Sequence, residues 1–347
     1  MNLDALNKVA LAMTAPGMGI LAADESAGTI KKRFDSIGVE STADTRRDYR
    51  EMLFRTESAM KERISGVILY DETIRQNARD GTPLVKLIEK AGAVPGIKVD
   101  AGAKALTGAR PGEVVTEGLD GLRERLTEYH RLGARFAKWR AVIDIGRNGD
   151  RSMPSGNCIK ANAHALARYA ALCQETQIVP IVEPEILMDG DHDADACYDA
   201  TLWTLKALYQ ELFDAHVALE GTILKPNMIV AGKKCTKQAS VAEVAEKTVR
   251  CFRNAVPAAV PGIVFLSGGQ SDIEATAHLN AMNKGYGAQM PWKLSFSYGR
   301  ALQAAPLKAW SGKTENVAAG QRAFAHRAAM NGLAQLGQWN EGLERAA

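Results

Sequence analysis

Eight short apolar runs recur along the chain, at residues 19–24, 64–71, 94–100, 134–140, 177–186, 222–228, 262–269 and 293–300. Between them lie segments compatible with helices, among them Ala161–Gln174, Ala200–His216, Ala242–Ala255 and Ile273–Lys284. Strand–helix alternation at intervals of ~30–45 residues builds parallel strands joined by helical crossovers, and eight such units close a barrel. A doubly wound open sheet usually has fewer strands. The pattern predicts an α/β fold, a (β/α)8 TIM barrel with strands over about 19–300 and a helical C-terminal tail over 301–347. No linker rich in Pro, Gly or Ser and no low-complexity segment divides residues 1–347, so the expectation is a single domain.

Several of these runs carry charge near their C-terminal ends: Asp24-Glu25, Lys138-Trp139-Arg140, Glu183-Pro184-Glu185 and Lys225-Pro226-Asn227. Burying an isolated charge is costly, so a chain does it mainly where charges pair or react. Side chains alternate faces along a strand. Glu183 and Glu185 therefore share a face, as do Lys138 and Arg140. The outer face of a barrel strand must be apolar to meet its helix, which sends these groups into the upper interior. Lysine among buried carboxylates is the raw material of amine catalysis, because desolvation helps free the nitrogen lone pair. A structural ion-pair network is the rival explanation, but convergence on one barrel mouth favours an enzyme.

Leu266-Ser267-Gly268-Gly269-Gln270 ends the seventh run and Ser297-Tyr298-Gly299-Arg300 ends the eighth. Glycines there let backbone N–H groups approach an oxyanion, Arg300 adds a bidentate donor, and loops after strands 7 and 8 are the usual barrel phosphate site. Ser311-Gly312-Lys313-Thr314 imitates the end of a nucleotide-binding loop, but position 307 is leucine and no strand feeds it, so it is read as surface. Asp189-Gly190-Asp191-His192-Asp193 lacks the spacing of a calcium loop and is read as a helix cap. No pair of histidines has zinc-site spacing, and no G-x-G-x-x-G follows a strand. No metal and no cofactor are expected.

A net charge of +3 is too small to make nucleic acid the main partner. Five widely spaced cysteines without a C-x-x-C pair fit a reducing compartment, and no apolar run approaches the ~20 residues of a membrane span. Met1–Ala15 is amphipathic, with Asp4 and Lys8, rather than a signal peptide. The expected location is cytoplasmic, with no membrane partner.

Taken together, Gly19-Ile-Leu-Ala-Ala-Asp24-Glu-Ser26, Gly96-Ile-Lys98-Val-Asp100, Phe136-Ala-Lys138-Trp-Arg140, Val182-Glu183-Pro-Glu185, Leu224-Lys225-Pro-Asn-Met228, Leu266-Ser-Gly-Gly-Gln270 and Ser297-Tyr-Gly-Arg300 closely resemble the class I, Schiff-base-forming fructose-bisphosphate aldolases, in the family's order from about residue 17 to 335. The resemblance implies a homotetrameric barrel acting on a phosphorylated sugar. The reaction would be reversible cleavage of fructose 1,6-bisphosphate to dihydroxyacetone phosphate and glyceraldehyde 3-phosphate, in glycolysis and gluconeogenesis. By resemblance, Lys225 is the nucleophile, Glu183 the acid that protonates the departing hydroxyl, and Asp24 the base for the C4 hydroxyl. Lys138 would be the second ammonium beside Lys225, and Glu185 would tune the proton inventory of that cluster. Ser267, Gly268, Gly269 and Arg300 match the C1-phosphate site. Ser26, Lys98 and Arg140, with Thr29, lie near the C6-phosphate site, although Lys98 and Arg140 could instead be structural partners of Asp24 or Glu183.

Three departures qualify the resemblance. Thr29 stands where animal members carry serine, which preserves a hydroxyl. Animal members run about twenty residues further and finish in a tyrosine that assists proton exchange on the enamine. This chain's last tyrosine is Tyr298, so the expectation is slower enamine protonation or another acid. Residues 147–157 also diverge. Rival functions are another Schiff-base barrel aldolase, acting on fructose 1-phosphate or sedoheptulose 1,7-bisphosphate, and a non-catalytic scaffold. A scaffold predicts decay among Lys225, Glu183, Asp24 and Lys138, yet all four are intact.

Overall fold

The structure, a computed structural model, describes residues 1–146 and 153–345. Most of the divergent 147–157 stretch, residues 147–152, lies outside the described residues. In chain order the strands are β1 (Gly19–Ala23), β2 (Ile64–Leu69), β3 (Val94–Lys98), β4 (Gly102–Ala105), β5 (Val114–Glu117), β6 (Phe136–Ile143), β7 (Val179–Ile186), β8 (Ile223–Leu224), β9 (Gly262–Phe265) and β10 (Lys293–Tyr298). Eight of them close a barrel in the order β1, β10, β9, β8, β7, β6, β3, β2, with every neighbouring pair parallel. Helices including Gly156–Glu175, Ala194–Asp214, Val241–Ala255 and Asp272–Tyr286 follow β6, β7, β8 and β9, as the alternation predicts.

Local chemistry explains where the strands depart from the apolar runs. β8 shrinks to two residues because Pro226 has no N–H to extend the ladder. β6 runs on to Ile143, because Ala141 and Ile143 still bury an outward face while Lys138 and Arg140 point inward. The antiparallel β4–β5 hairpin has no counterpart among the eight runs, since its Gly-Ala-Lys-Ala strand has no apolar alternation to read.

The barrel interior is a core of its own. Ile20, Ala22, Ile68, Phe136, Val179, Ile181, Ile223 and Val264 meet Leu6, Ala10 and Met13 of the amphipathic helix Leu3–Met13, which plugs the N-terminal end. Phe136 fits because Gly96 and Gly66 face it. A Cβ at Gly96 would lie 2.2 Å from its ring. The floor of the barrel is thus apolar and closely packed, and the charged positions lie above it.

The C-terminal tail is helical, with helices Arg300–Trp310 and Val317–Gln335. Its end is tied down by Glu344, which pairs with Arg327 and accepts the Trp339 indole N–H at 2.9 Å. Among the described residues no helix is long and apolar enough to cross a membrane.

Candidate active site

A cavity of about 230 Å³ opens at the C-terminal ends of the barrel strands, where this architecture holds its functional groups. Asp24 follows β1, Lys98 ends β3, Lys138 and Arg140 lie on β6, and Glu183 and Glu185 on β7. Lys225 immediately follows β8, Ser267 and Gly268 follow β9, and Arg300 begins the helix after β10. All of these line the cavity, together with Ser26 and Thr29. Gly269 does not. It stands behind the loop, its N–H turned 3.0 Å from the Met188 thioether and its α-carbon covered by the Lys233 side chain.

The charged groups form a connected chain. One Glu183 oxygen lies 3.2 Å from Lys225 Nζ and the other 3.4 Å from Lys138 Nζ. Lys138 Nζ in turn lies 2.7 Å from Asp24 and 4.0 Å from Asp100. No side chain in this chain is more than 15% exposed, so the charges interact with little screening by water. Burial by itself would drive Lys138 toward the neutral amine. The carboxylates of Asp24, Glu183 and Asp100 outweigh it and hold the ammonium well above the ordinary lysine range. Burial likewise opposes the Asp24 carboxylate, but Lys138, Lys225 and Lys98 override it and hold its carboxyl well below the usual range.

Two ion pairs flank this cluster. Glu185 sits on the Glu183 face, as parity requires, but its carboxylate is taken by the Arg140 guanidinium and not by the lysines. Lys98 pairs with neither Asp24 nor Glu183. Its ammonium lies 2.7 Å from both the carboxylate and the carbonyl of Asp100. Asp100, the last residue of the Gly96–Asp100 motif and one to which sequence reasoning assigns no role, touches Lys98, Lys138 and the Arg140 N–H. Its position two residues after Lys98, on the same strand parity, was the available signal.

Polar groups suited to oxyanions surround this cluster. The hydroxyls of Ser26 and Thr29 lie 3.1 Å apart at the N-terminus of helix Ala27–Asp35, and Ser26 makes no side-chain cap bond there. Exposed hydroxyls and unpaired N–H groups at a helix start are ready to bind phosphate. Arg33 of that helix also faces the cavity, paired at 2.5 Å with buried Glu25, which also accepts from Gln303. Gly268 adopts a left-handed φ of +55°, the turn that lets its loop bend tightly, and Arg300 donates to its carbonyl.

The two decoy motifs lie elsewhere. Asp193 caps helix Ala194–Asp214 by accepting the Ala196 N–H at 2.8 Å, as the helix-cap reading has it. Ser311 ends helix Arg300–Trp310 with φ of 47°, and Gly312, Lys313 and Thr314 are exposed. Among the described residues no group of three or more His, Cys, Asp or Glu side chains is arranged to hold a metal ion.

Comparison with known proteins bears on this arrangement directly. The family model described as fructose-bisphosphate aldolase class-I matches residues 5–347. A Xanthomonas campestris pv. campestris protein named "Probable fructose-bisphosphate aldolase class 1" is 58% identical over 340 residues, covering 98% of this chain and 99% of that one. Fructose-bisphosphate aldolase 6, cytosolic, of Arabidopsis thaliana is 54% identical over 93% of this chain and 88% of its own length. The fructose-bisphosphate aldolase of Plasmodium falciparum, solved in complex with TRAP and a small molecule inhibitor, superposes with a TM-score of 0.94 at 46% identity, covering 98% of this chain and 96% of that one. A barrel whose strand ends converge on a lysine–carboxylate cluster, matched over almost its full length, belongs to the class I fructose-bisphosphate aldolases, a family of lyases.

Proposed function

We propose that catalysis runs through an imine on Lys225, in a single-domain chain of residues 1–347, with no metal or cofactor taking part. The observation that carries this reading is Glu183, whose two oxygens bridge Lys225 at 3.2 Å and Lys138 at 3.4 Å. Lys225 passes a proton to the Glu183 carboxylate and, as the free amine, adds to the C2 ketone of fructose 1,6-bisphosphate. Glu183 then gives a proton to the carbinolamine hydroxyl, water leaves, and an iminium remains. Asp24 takes the proton of the C4 hydroxyl as the C3–C4 electron pair moves into the iminium. Glyceraldehyde 3-phosphate departs and an enamine remains. Protonation at C3 and hydrolysis of the imine release dihydroxyacetone phosphate and restore Lys225.

Lys138 stays an ammonium throughout and keeps Asp24 and Glu183 oriented between proton transfers, while Glu185 steadies Arg140. The C1 phosphate rests on Ser267, Gly268 and Arg300, with Gly269 shaping the loop from behind. The C6 phosphate takes Ser26, Thr29, Lys98 and Arg140. The protein is further proposed to act in the cytoplasm as a homotetramer, an assembly state that sedimentation of the purified chain would test.

The deciding experiment is borohydride trapping with dihydroxyacetone phosphate in the presence of EDTA, followed by peptide mass spectrometry. A reduced adduct on Lys225, absent in Lys225→Met, is the expected result. Loss of activity to EDTA with no adduct would overturn the imine mechanism. Turnover of fructose 1,6-bisphosphate against fructose 1-phosphate and sedoheptulose 1,7-bisphosphate then separates the bisphosphate enzyme from its relatives.

A further inference from the structure

We infer that Asn227 is the positioning residue that sets Lys225 against Glu183, an inference that rests on Lys225 being the nucleophile. The need for it follows from the sequence. β7 and β8 are held together by few ladder bonds, with Ile181 opposite Ile223 and Val182 opposite Leu224. The last backbone bond on that side runs from Lys225 N–H to the Val182 carbonyl at 2.9 Å. Pro226 then has no N–H, so the backbone cannot continue the seam at the height of the reacting groups. β7, by contrast, runs on through Glu183 and Glu185 to Ile186.

Asn227 closes that gap with its side chain. Its Oδ1 accepts the Ile186 N–H at 3.0 Å, one residue beyond Glu185 and three beyond Glu183. Its Nδ2 donates to Thr201 Oγ1 and to the Met228 carbonyl, each at 3.1 Å. The amide cannot flip, because Ile186 offers only a donor and Met228 only an acceptor. Asn227 is 4% exposed and Thr201 is 1% exposed, so neither exchanges its partner for bulk water. Lys225 thus lies between two ties to β7: its own N–H below, and the Asn227 amide above. Thr201, on helix Ala194–Asp214, anchors the upper tie to the outer layer.

The geometry assigns Asn227 an effect on rate. Misplacing reacting groups by about 1 Å costs on the order of 100-fold in rate, far more than the same shift costs in binding. The test uses the full chain as wild type, Asn227→Ala, Asn227→Asp and Thr201→Val. Two readouts are followed: the rate at which borohydride traps the Lys225 adduct with dihydroxyacetone phosphate, and the rate at which trinitrobenzenesulfonate labels Lys225, read by peptide mass spectrometry.

We expect Asn227→Ala to stay folded, keep its affinity for dihydroxyacetone phosphate within about threefold, and trap the adduct about 10- to 100-fold more slowly. Thr201→Val should show a smaller loss that vanishes in the Asn227→Ala background, because the two residues form one tie. Asn227→Asp should recover toward wild type as pH falls, since a protonated carboxyl reproduces the donor and acceptor of the amide. A folded Asn227→Ala with both Lys225 rates within about twofold of wild type overturns the proposal. So do rates that fall only in step with the folded fraction. If Asn227→Ala fails to fold, Thr201→Val decides by the same criteria. A wild-type chain that forms no adduct, yet whose Lys225 labelling still depends on Asn227, would refute the imine mechanism while upholding the positioning role.

Discussion

Replacing Lys138 by methionine tests whether the charge chain at the barrel mouth is mutually supporting. The Lys138 ammonium faces Asp24 at 2.7 Å, Glu183 at 3.4 Å and Asp100 at 4.0 Å, and its own side chain is 4% exposed. Methionine keeps the length and the apolar stem but leaves three buried carboxylates with fewer cations to answer them. Removing one partner of a buried ion pair costs about 3–5 kcal/mol, and that is the loss of stability expected near pH 7.5.

The pH dependence makes this prediction specific. In the wild type the Asp24 carboxyl is held low, so its contribution is present above its unfolded pKa of ~3.9 and is lost only as pH falls below that. Lys138, held high, stays charged throughout and adds no pH dependence below about pH 10. In Lys138→Met, burial of Asp24 is opposed only by Lys225 and Lys98, and its carboxyl moves up. The folded variant then binds more protons than the unfolded chain, so its stability rises as pH falls toward 5. Urea unfolding of both proteins at pH 7.5 and 5.0, followed by circular dichroism, should show a gap of about 3–5 kcal/mol that narrows at the lower pH. A gap below about 1 kcal/mol, or one that widens on acidification, would refute the reasoning.

Three further substitutions probe the phosphate cradles and the barrel floor. Arg300→Ala should weaken binding of dihydroxyacetone phosphate by about 10- to 150-fold and that of glyceraldehyde 3-phosphate far less, whereas Arg140→Ala should show the reverse. Calorimetric titration of each triose phosphate checks this, and equal losses for both ligands in both variants would contradict the assignment of two cradles. Gly96→Ala places a methyl 2.2 Å from the Phe136 ring, two residues before Lys138, and should cost about 1–3 kcal/mol by overpacking. The thermal midpoint should fall accordingly, with partial recovery in a Phe136→Leu background. An unchanged midpoint would mean that the barrel floor yields more readily than its packing implies.

Much of this was legible in the chain itself. Alternation of eight apolar runs with helical segments is a local pattern, so the barrel and the eight-strand count could be read without contacts. Parity is equally local. It put Lys138 with Arg140 and Glu183 with Glu185 on inward faces, and the charged strand ends of a barrel have only one mouth to share. Strand lengths were less legible, because they depend on what neighbours can bond. Pro226 ends β8 early, and β6 continues because β7 supplies partners up to Ile186.

Pairing was decided by tertiary structure alone. Nothing local says that Glu185 answers Arg140 or that Glu183 reaches both lysines. Those choices depend on the stagger between adjacent parallel strands, which sets how far one side chain stands above the next. Gly269 shows the same limit, since its neighbours in the motif line the cavity while its own α-carbon lies under Lys233. The sequence determined which residues are charged and which way each strand turns them. Only the closed barrel decided which of them meet, because the distances between residues far apart in the chain are set by strand register and stagger, which no local pattern encodes.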